Sequence, residues 1–366
     1  MKVFLYVQHL LGIGHLKRAA TLAQAMRAGG FEVTLASGGE PVAGIPVLQL
    51  PPAKSDASFK TLYDEHGKPV DDAWKARRAR FLVEAFQKTN PGVLLVELFP
   101  FGRRQMRFEL LPLLDAAKQR SPRPLVVCSV RDLLQPNAAP NAAREDEALE
   151  RFERYFDRLL VHGDPSVARF ERSFGKAAAL REKLHYTGYV VEEIPTGDAG
   201  KDEVLVSAGG GAVGRRLLQT ATEARPLTSL RNSVWRILAG PNAKDIEGLR
   251  SEGVIVERAR EDFTVRLRNC LLSVSQAGYN TVMETLQARA RAVLVPFAAG
   301  AESEQTLRAK LLAARGLVEV VEESALGAAS LAAAIDRAAA APRPPPGAID
   351  LDGARRSVQL LREWLA

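Results

Sequence analysis

The sequence predicts an α/β protein with two Rossmann-like domains that face a cleft, each a doubly wound parallel sheet with helices on both faces. Unbroken apolar runs alternate with amphipathic helical patterns along the chain, and this alternation is typical of parallel sheets that are buried on both sides. A chain of 366 residues is too long for one ordinary core, so we expect about two domains. A polar stretch with Pro and Gly at 190–202 indicates the hinge. We therefore place the domains at 1–192 and 193–350.

Each expected strand is a short apolar run, and each expected helix carries apolar residues at helical spacing. In the first half, strands are predicted at 2–8, 32–36, 93–97, 124–130, 158–162 and 184–188, and helices at 15–28, 74–89, 103–118 and 145–156. In the second half, strands are predicted at 203–207, 233–238, 253–257, 270–274, 292–296 and 317–321, and helices at 214–224, 244–250, 261–268, 280–288, 302–315 and 328–340. The stretches 51–70 and 135–143 are predicted to be long loops. A Pro-rich break at 342–347 precedes a last helix at 351–366.

The composition is that of a soluble globular protein, with 46% hydrophobic and 25% charged residues. No apolar run approaches the ~18–20 residues of a membrane-spanning helix. Cys128 and Cys270 lie in apolar stretches, which favours buried thiols in a reducing compartment, and we expect a cytoplasmic protein. The formal net charge of +7 suits an anionic ligand, a negative membrane surface or nucleic acid. No basic stretch is interleaved with aromatics, so we expect no nucleic-acid partner.

Ligands of doubly wound sheets bind where the strands end, and the first candidate group lies just after the first predicted strand. Gly12 and Gly14 let the backbone pass close to a ligand, and His15 opens the following helix. A neutral imidazole there is suited to take a proton from an acceptor hydroxyl, because the helix dipole disfavours its protonated form. A purely structural histidine at a helix start remains the alternative.

The second group follows the strand at 203–207 and contains the pattern G-x-G-x-x-G from Gly209 to Gly214. A dinucleotide site also needs an acidic residue at the end of the next strand. That strand ends Ala239-Gly240-Pro241 without one, which disfavours an NAD site. Two interpretations stay open: a turn that lets a diphosphate approach Gly209, Gly210 and Gly211, or a tight turn with close helix–strand packing.

The third group is the stretch 275–284, where a strand ends, a glycine turn follows and an amphipathic helix begins. Such a junction points backbone N–H groups at an anion, and Glu284 is placed to hold a ribose. The alternative is a capping box, in which Thr281 and Glu284 only satisfy the first N–H groups of the helix.

The fourth group, Glu304 and Gln305, lies near the start of the helix after the strand at 292–296. A carboxylate and an amide in this place can hold sugar hydroxyls. Acidic residues that complement the helix dipole are the alternative explanation for Glu304, but Gln305 carries no charge.

With these groups in order, the chain resembles the glycosyltransferases of the GT-B fold, and within them glycosyltransferase family 28. The resemblance spans nearly the whole chain. It is carried by the residues at 12–18, 99–104, 130–134, 162–165, 207–212, 275–284 and 296–305. The glycine turn before His15 is shorter than in the family, and the loop at 209–214 also departs from the family pattern.

The resemblance implies a metal-independent, inverting glycosyltransferase without a cofactor, which uses a nucleoside-diphosphate sugar, expected to be a UDP-sugar, and an acceptor hydroxyl. The last helix is expected to return to the N-terminal domain. His15 is implied as the catalytic base, and Glu304 and Gln305 are implied to lie near the donor sugar. The donor-nucleotide residues are Gly209, Gly210, Gly211, Ser275, Gln276, Gly278, Asn280, Thr281 and Glu284, and the cleft or acceptor residues are Gly12, Gly14, Arg103 and Arg104.

Other functions remain open on the sequence alone. A sugar-nucleotide 2-epimerase or hydrolase shares the architecture, as does a non-catalytic sugar-nucleotide-binding protein. The stretch 101–114 mixes arginines with apolar residues, which suits a lipid-linked acceptor and peripheral contact with the inner face of the membrane, or a core helix with a basic exposed face. A small-molecule acceptor is equally compatible. Asp350-Leu-Asp352 has the letters of a metal-binding pair, but we expect it to cap the last helix.

Overall fold

A computed structural model of the chain describes residues 1–10, 12–56, 61–134, 142–208, 214–240, 247–297 and 304–366. The chain divides into two compact units. Among the described residues, the first unit takes 1–134, 142–190 and 352–366, and the second takes 191–351. Each unit has its own sheet and its own core.

The first unit is built on a seven-stranded parallel sheet with the strand order β3-β2-β1-β6-β7-β8-β9. Its strands are β1 (Lys2–Val7), β2 (Glu32–Ser37), β3 (Leu48–Gln49), β6 (Val93–Glu97), β7 (Leu125–Arg131), β8 (Arg158–His162) and β9 (Leu184–Tyr186), and β4 (Lys54–Ser55) and β5 (Leu62–Tyr63) form a separate antiparallel ribbon. Its helices are α1 (Gly14–Ala28), α2 (Asp72–Thr89), α3 (Arg107–Gln119) and α4 (Ala142–Tyr155). With the ribbon set aside, this is the Rossmann order.

The central strand β1 shows why the sheet is covered on both faces. Its residues from Val3 to Val7 are all fully buried. Phe4 and Tyr6 pack into one apolar cluster with α2 and α3, whereas Leu5 and its neighbours on the other face pack against α1. An unbroken apolar strand of this kind has no polar face, so helices must cover both of its sides.

The second unit repeats the plan with a six-stranded parallel sheet of order β12-β11-β10-β13-β14-β15. Its strands are β10 (Glu203–Ser207), β11 (Val234–Ala239), β12 (Val254–Arg258), β13 (Leu272–Gln276), β14 (Ala292–Val295) and β15 (Glu319–Val320), and its helices are α5 (Arg215–Ala224), α6 (Phe263–Asn269), α7 (Tyr279–Gln287), α8 (Glu304–Ala313) and α9 (Ala328–Ala340). The fold class predicted from the sequence, two doubly wound parallel sheets, is confirmed.

The two strand orders define where ligands are expected. In each sheet the connections run one way from the first strand and then reverse, at β1/β6 in the first unit and at β10/β13 in the second. Ligands of such sheets bind outside the carboxyl ends of the strands at this switch point. His15 and Glu97 follow or end the strands at the first switch point, and Ser275 and Gln276 end a strand at the second.

The last helix, α10 (Gly353–Leu365), belongs to the first unit. Val358 and Leu361 share an apolar cluster with Leu16 and Leu22 of α1. The chain enters α10 beside residues 189 and 190, because Val190 pairs with Asp352 and the Gly353 N–H donates to the Tyr189 carbonyl at 3.0 Å. Asp352 occupies the N-cap position of this helix, as expected, but its side chain makes no capping hydrogen bond and pairs with Arg355.

Several predicted boundaries differ from the structure. The helix predicted from 103 begins at Arg107 after a 3-10 turn at Arg104–Met106, because Arg103 has a left-handed backbone (φ 57°, ψ 32°) that a helix does not accept. The predicted loop at 51–70 contains β4 and β5. Of the helix predicted at 244–250, the described part is a 3-10 turn at Glu247–Leu249.

Bulk properties agree with a folded globular chain. No helix among the described residues is long and apolar enough to cross a membrane. Both cysteines are buried and unpaired.

The seat of α10 gives a test of the packing. A Cβ at Gly353 would lie 2.4 Å from the Gly188 carbonyl oxygen and 2.8 Å from Tyr189 backbone atoms, which cannot rotate away. We expect Gly353→Ala to lower the free energy of unfolding by about 1–3 kcal/mol, measured by urea denaturation. Gly12→Ala is the matched control, because a Cβ there meets nothing within 4 Å. Equal stability of the two variants would contradict this packing.

Candidate active site

The first switch point holds a histidine and a carboxylate in direct contact. His15 lies in the first turn of α1, and Glu97 is the last residue of β6. The His15 Nδ1 lies 2.7 Å from Glu97 Oε1. The side chains are largely buried, with 16% of His15 and 2% of Glu97 exposed. Sequence motifs separated by 82 residues are thus joined by the parallel pairing of β1 with β6.

Arg18 binds the same carboxylate and fixes its charge. The Arg18 Nη2 donates to Glu97 Oε1, and only 2% of the Arg18 side chain is exposed. Burial by itself raises the pKa of the Glu97 carboxyl, but His15, Arg18 and Arg103 more than offset this effect and hold that pKa well below its usual range. An ionised carboxylate only accepts hydrogen bonds. Nδ1 of His15 must therefore carry the proton that it shares with Glu97.

The imidazole itself is neutral at physiological pH. The pKa of His15 is lowered to about 3, chiefly by burial, with Arg103 and Arg131 acting in the same direction and Glu97 opposing them. In a neutral imidazole with its proton on Nδ1, Nε2 carries a lone pair. This ring nitrogen is therefore available to accept a proton from a bound hydroxyl.

The same sheet holds a second buried histidine, His162, and burial lowers its pKa to about 3. His162 ends β8 and is fully buried. Its Nε2 lies 2.8 Å from Ser129 Oγ and its Nδ1 lies 2.9 Å from Thr187 Oγ1. Because both ring nitrogens have partners, we assign His162 a structural role.

The two arginines predicted at the acceptor side point to different partners. Arg103 contributes to the electrostatics of His15 and Glu97, and its Nε donates to the Gln8 carbonyl at 2.8 Å. Arg104 instead pairs with Glu147 of α4. Arg103 therefore belongs to the candidate site, whereas Arg104 forms an ion pair with a residue of α4.

A buried ion pair supports the loops around the site. Arg78 and Glu109 are fully buried and joined by two hydrogen bonds, at 2.6 and 2.9 Å. Tyr6 donates to the same carboxylate, and Arg78 also binds the Gly38 carbonyl at 3.0 Å and the side chain of Gln8. These bonds tie the residues after β1 and β2 to helices α2 and α3.

The glycines before His15 have different surroundings. Gly14 is the first residue of α1, whose N-cap position is Ile13. Gly12 is exposed, and a Cβ there would meet no atom within 4 Å. Packing of the described residues therefore does not require a glycine at position 12.

At the second switch point, α7 begins earlier than a capping box requires. Its N-cap position is Gly278, no side chain caps the helix, and Thr281 is its third residue. The capping-box interpretation of Thr281 and Glu284 is therefore wrong. Asn280, Thr281 and Glu284 are half-buried and share one face of the helix, while Tyr279 and Val282 are buried.

A cavity of about 270 Å³ lies next to this junction within the second unit. It is lined by Gly214, Arg215, Arg216 and Leu217 at the start of α5, by Gln276, by Val295, Pro296 and Phe297 after β14, and by Glu323 and Leu326. Gln305 lies beside it, because its Oε1 accepts the Phe297 N–H at 3.2 Å. Backbone N–H groups at a helix start and two arginines suit a diphosphate.

Two further residues of the predicted motifs, Gly214 and Ser275, lie in closely packed surroundings. A Cβ at Gly214 would lie 2.1 Å from the Cβ of Ala208, so close helix–strand packing requires this glycine. Ser275 is fully buried at the end of β13. Gly209, Gly210 and Gly211 lie outside the described residues.

Glu304 is buried and pairs with Arg308 one helical turn further on, at 2.6 Å. The Arg308 guanidinium lies over the Tyr279 ring, 5.1 Å from its centroid. This contact joins α8 to α7 and directs the Glu304 side chain into the protein. Arg308 was not predicted, because an arginine inside a helical pattern normally indicates an exposed face.

Comparison with known structures defines the fold. The calicheamicin glycosyltransferase CalG4 covers 99% of this chain and 94% of its own with a TM-score of 0.60 at 17% identity. MurG of Acinetobacter baumannii covers 99% of both chains with a TM-score of 0.60 at 14% identity. The spinosyn rhamnosyltransferase SpnG, solved with thymidine diphosphate, covers 99% of this chain and 95% of its own with a TM-score of 0.60 at 17% identity. The chain therefore has the GT-B fold of these glycosyltransferases.

Sequence comparison then defines the second unit. Residues 208–345 match the glycosyltransferase family 28 C-terminal domain. Over 138 residues the chain is 23% identical to a UDP-N-acetylglucosamine–N-acetylmuramyl-(pentapeptide) pyrophosphoryl-undecaprenol N-acetylglucosamine transferase of Prochlorococcus marinus (strain AS9601). This match spans 37% of this chain and 37% of that relative. The match to the family 28 C-terminal domain thus lies within the second unit.

The pKa of His15 leads to a pH prediction. Its folded pKa of about 3 lies below the ordinary value of 6.5, so the unfolded chain binds the proton first. The stability that this group contributes is present above pH 6.5 and is lost as the pH falls towards 3. Between pH 6.5 and 4 we expect His15 to account for a loss of roughly 2–3 kcal/mol.

The measurement is urea denaturation across this pH range. The His15→Gln variant should lose less stability on acidification than the wild type, whereas His66→Gln, which changes an exposed side chain, should follow the wild type. Parallel curves for His15→Gln and the wild type would show that His15 titrates normally in the folded state.

Proposed function

We propose that this protein is a glycosyltransferase that moves a sugar from a nucleoside-diphosphate sugar to an acceptor hydroxyl, with inversion and without a metal. The observation that carries the proposal is the contact of His15 with Glu97 at 2.7 Å. This contact lies at the switch point of the first unit. The second unit carries the match to the family 28 C-terminal domain. In this division of roles the first unit supplies the base and binds the acceptor, and the second binds the donor.

On the donor side, we assign the diphosphate to the start of α5 and to the turn at Ser275–Gly278. Glu284 is assigned to the ribose, with Asn280 and Thr281 on the same face of α7. The printed name of the Prochlorococcus relative includes a UDP-sugar, and SpnG was solved with thymidine diphosphate, which supports a nucleoside-diphosphate donor. We favour a UDP-sugar.

We assign Gln305 to binding of the donor sugar. Its Oε1 accepts a hydrogen bond from the Phe297 N–H beside the cavity. Glu304 contributes in a different way from Gln305, because Arg308 binds its carboxylate. We assign Glu304 to fixing the start of α8, and a direct contact with the sugar would require the ion pair to rearrange.

The chemistry follows from the state of His15. Nε2 accepts the proton of the acceptor hydroxyl as its oxygen attacks the anomeric carbon, and the bond from that carbon to the diphosphate oxygen breaks. The imidazolium that forms is stabilised by the Glu97 carboxylate through Nδ1–H. Negative charge that develops on the diphosphate is stabilised by backbone N–H groups and by Arg215. Attack opposite to the leaving group inverts the anomeric centre.

The acceptor is a hydroxyl-bearing molecule, either lipid-linked or small. The name of the Prochlorococcus relative includes a pyrophosphoryl-undecaprenol acceptor, which supports a lipid-linked one and a place at the inner face of the membrane.

Donor binding is the first test. In a thermal-shift screen against UDP-, GDP-, dTDP- and CDP-sugars, one nucleotide should raise the Tm of the wild type by mass action. Glu284→Ala should weaken the binding of that nucleotide sugar about tenfold or more, because a ribose hydroxyl loses a charged hydrogen-bond acceptor. Glu252→Ala, which changes an exposed carboxylate of the same unit, should bind like the wild type. Equal affinity of the two variants would exclude Glu284 from the site.

Transfer is the second test. With the donor identified, His15→Gln should lower kcat about 10²-fold or more, the range of a general base, and leave the Kd for the donor within about twofold. His66→Gln serves as the control. Near-normal transfer by His15→Gln would remove the base from the mechanism, and release of free sugar without an acceptor would indicate a hydrolase.

A further inference from the structure

Positive charge exceeds negative charge around His15. Arg18, Arg103 and Arg131 all act electrostatically on His15, on its partner Glu97 or on both. His15 is neutral, and Glu97 is the carboxylate that acts on this group. Among the described residues that act on His15 or on Glu97, three thus carry a guanidinium group, whereas Glu97 supplies the carboxylate of the pair.

Arg103 has no carboxylate partner among the residues that the structure describes. Its Nε donates to the Gln8 carbonyl, and it forms no ion pair with any residue that the structure describes. Its neighbours differ: Arg18 pairs with Glu97, Arg78 with Glu109 and Arg104 with Glu147. Arg103 is half-buried, and burial lowers its pKa. A guanidinium withdrawn from water without an anion is unfavourable unless a ligand supplies one.

The backbone around Arg103 holds this arrangement in place. Leu98 and Arg103, at the two ends of the loop after β6, both have left-handed backbone conformations, with φ of 69° and 57°. Residues other than glycine adopt this conformation at a cost, and such strain concentrates at functional sites. Gln8, whose carbonyl receives the Arg103 Nε, is itself bound by Arg78 and donates to the Ala53 carbonyl at 3.1 Å. The loop and its anchor therefore direct Arg103 beside His15.

We infer that Arg103 binds an anionic group of the acceptor, of the phosphate or diphosphate type, next to the hydroxyl that His15 deprotonates. The identification of the ligand as the acceptor rests on the proposed function, whereas the anion site itself does not. The planar guanidinium fork matches two phosphate oxygens, and the excess positive charge suits a multiply charged group. The phosphate belongs either to a soluble phosphate ester or to a lipid headgroup.

The test reads His15 directly by NMR. All five histidines belong to the first unit, so the Cε1–H signals of the full chain report this unit alone, and His15→Gln identifies the signal of His15. Inorganic pyrophosphate is titrated at constant ionic strength without any nucleotide sugar. We expect a saturable shift of the His15 signal in the wild type and a Kd at least about tenfold weaker in Arg103→Gln.

Two variants keep this result interpretable. Arg107→Gln changes an arginine that pairs with Glu147 at 3.0 Å, and it should bind pyrophosphate like the wild type. Arg103→Lys keeps the charge but loses the fork, so its Kd should lie between those of the wild type and Arg103→Gln. The unshifted signals of His66, which is exposed, and of His185, which the charges of Arg158, Arg356 and Glu363 affect, verify the fold. A wild-type His15 signal that does not respond, or an equal Kd for Arg103→Gln, overturns the inference.

The source of the phosphate is separated by co-sedimentation with phosphatidic acid vesicles, compared with phosphatidylcholine vesicles. If Arg103→Gln loses the preference for phosphatidic acid, the group is a lipid headgroup. If the wild type and Arg103→Gln sediment equally, it is a soluble phosphate ester. A chain that binds no nucleotide sugar but keeps the pyrophosphate response of His15 refutes the transferase and leaves the anion site standing.

Discussion

The interaction on which the candidate site depends is the sharing of one carboxylate oxygen, Oε1 of Glu97, by His15 and Arg18. Glu97 and Arg18 would each be unfavourable in their places alone, since removing one partner of a buried ion pair costs about 3–5 kcal/mol. Arg18 keeps Glu97 ionised, Glu97 fixes the proton of His15 on Nδ1, and the neutral ring presents Nε2. The parallel order of β1 and β6 brings the three together, so the fold and the chemistry have the same origin.

Positive charge completes this arrangement. Arg103 and Arg131 disfavour protonation of His15, and they also make the surroundings suitable for an anion. These two effects oppose each other when an anion binds, because the anion makes His15 more basic. A phosphate-bearing acceptor would therefore strengthen the base at the time when its own hydroxyl must lose a proton. The low pKa of the free protein then describes the resting state of the base.

The sequence predicted the elements that depend on local pattern and missed the partners that depend on topology. The strands at 93–97, 158–162 and 203–207 are predicted with the bounds that the structure gives, because each contains at least three consecutive apolar residues. His15 was predicted from the glycine turn before it. Glu97 was not, although it is the acidic residue that ends a buried strand, a signal that could have identified it. Its pairing with Arg18 follows only from the strand order.

Neighbouring positions in the sequence do not always share a partner, because the backbone can turn between them. Arg103 and Arg104 are adjacent, yet the left-handed conformation of Arg103 sends them to different partners. Thr281 and Glu284 have the letters of a capping box, but the helix begins at Tyr279 and places both on its surface. In each case the local pattern is compatible with two geometries, and packing against distant residues decides between them.

The candidate site requires His15 to be a neutral base with its proton on Nδ1 and a lone pair on Nε2. The direct measurement is the ¹⁵N spectrum of histidine-labelled protein near pH 7, in which a protonated and an unprotonated ring nitrogen differ widely in chemical shift. We expect His15 to show a protonated Nδ1 and an unprotonated Nε2, and we expect Glu97→Gln or Arg18→Gln to disturb this state. An imidazolium, or a His15 ring protonated on Nε2 alone, would contradict it.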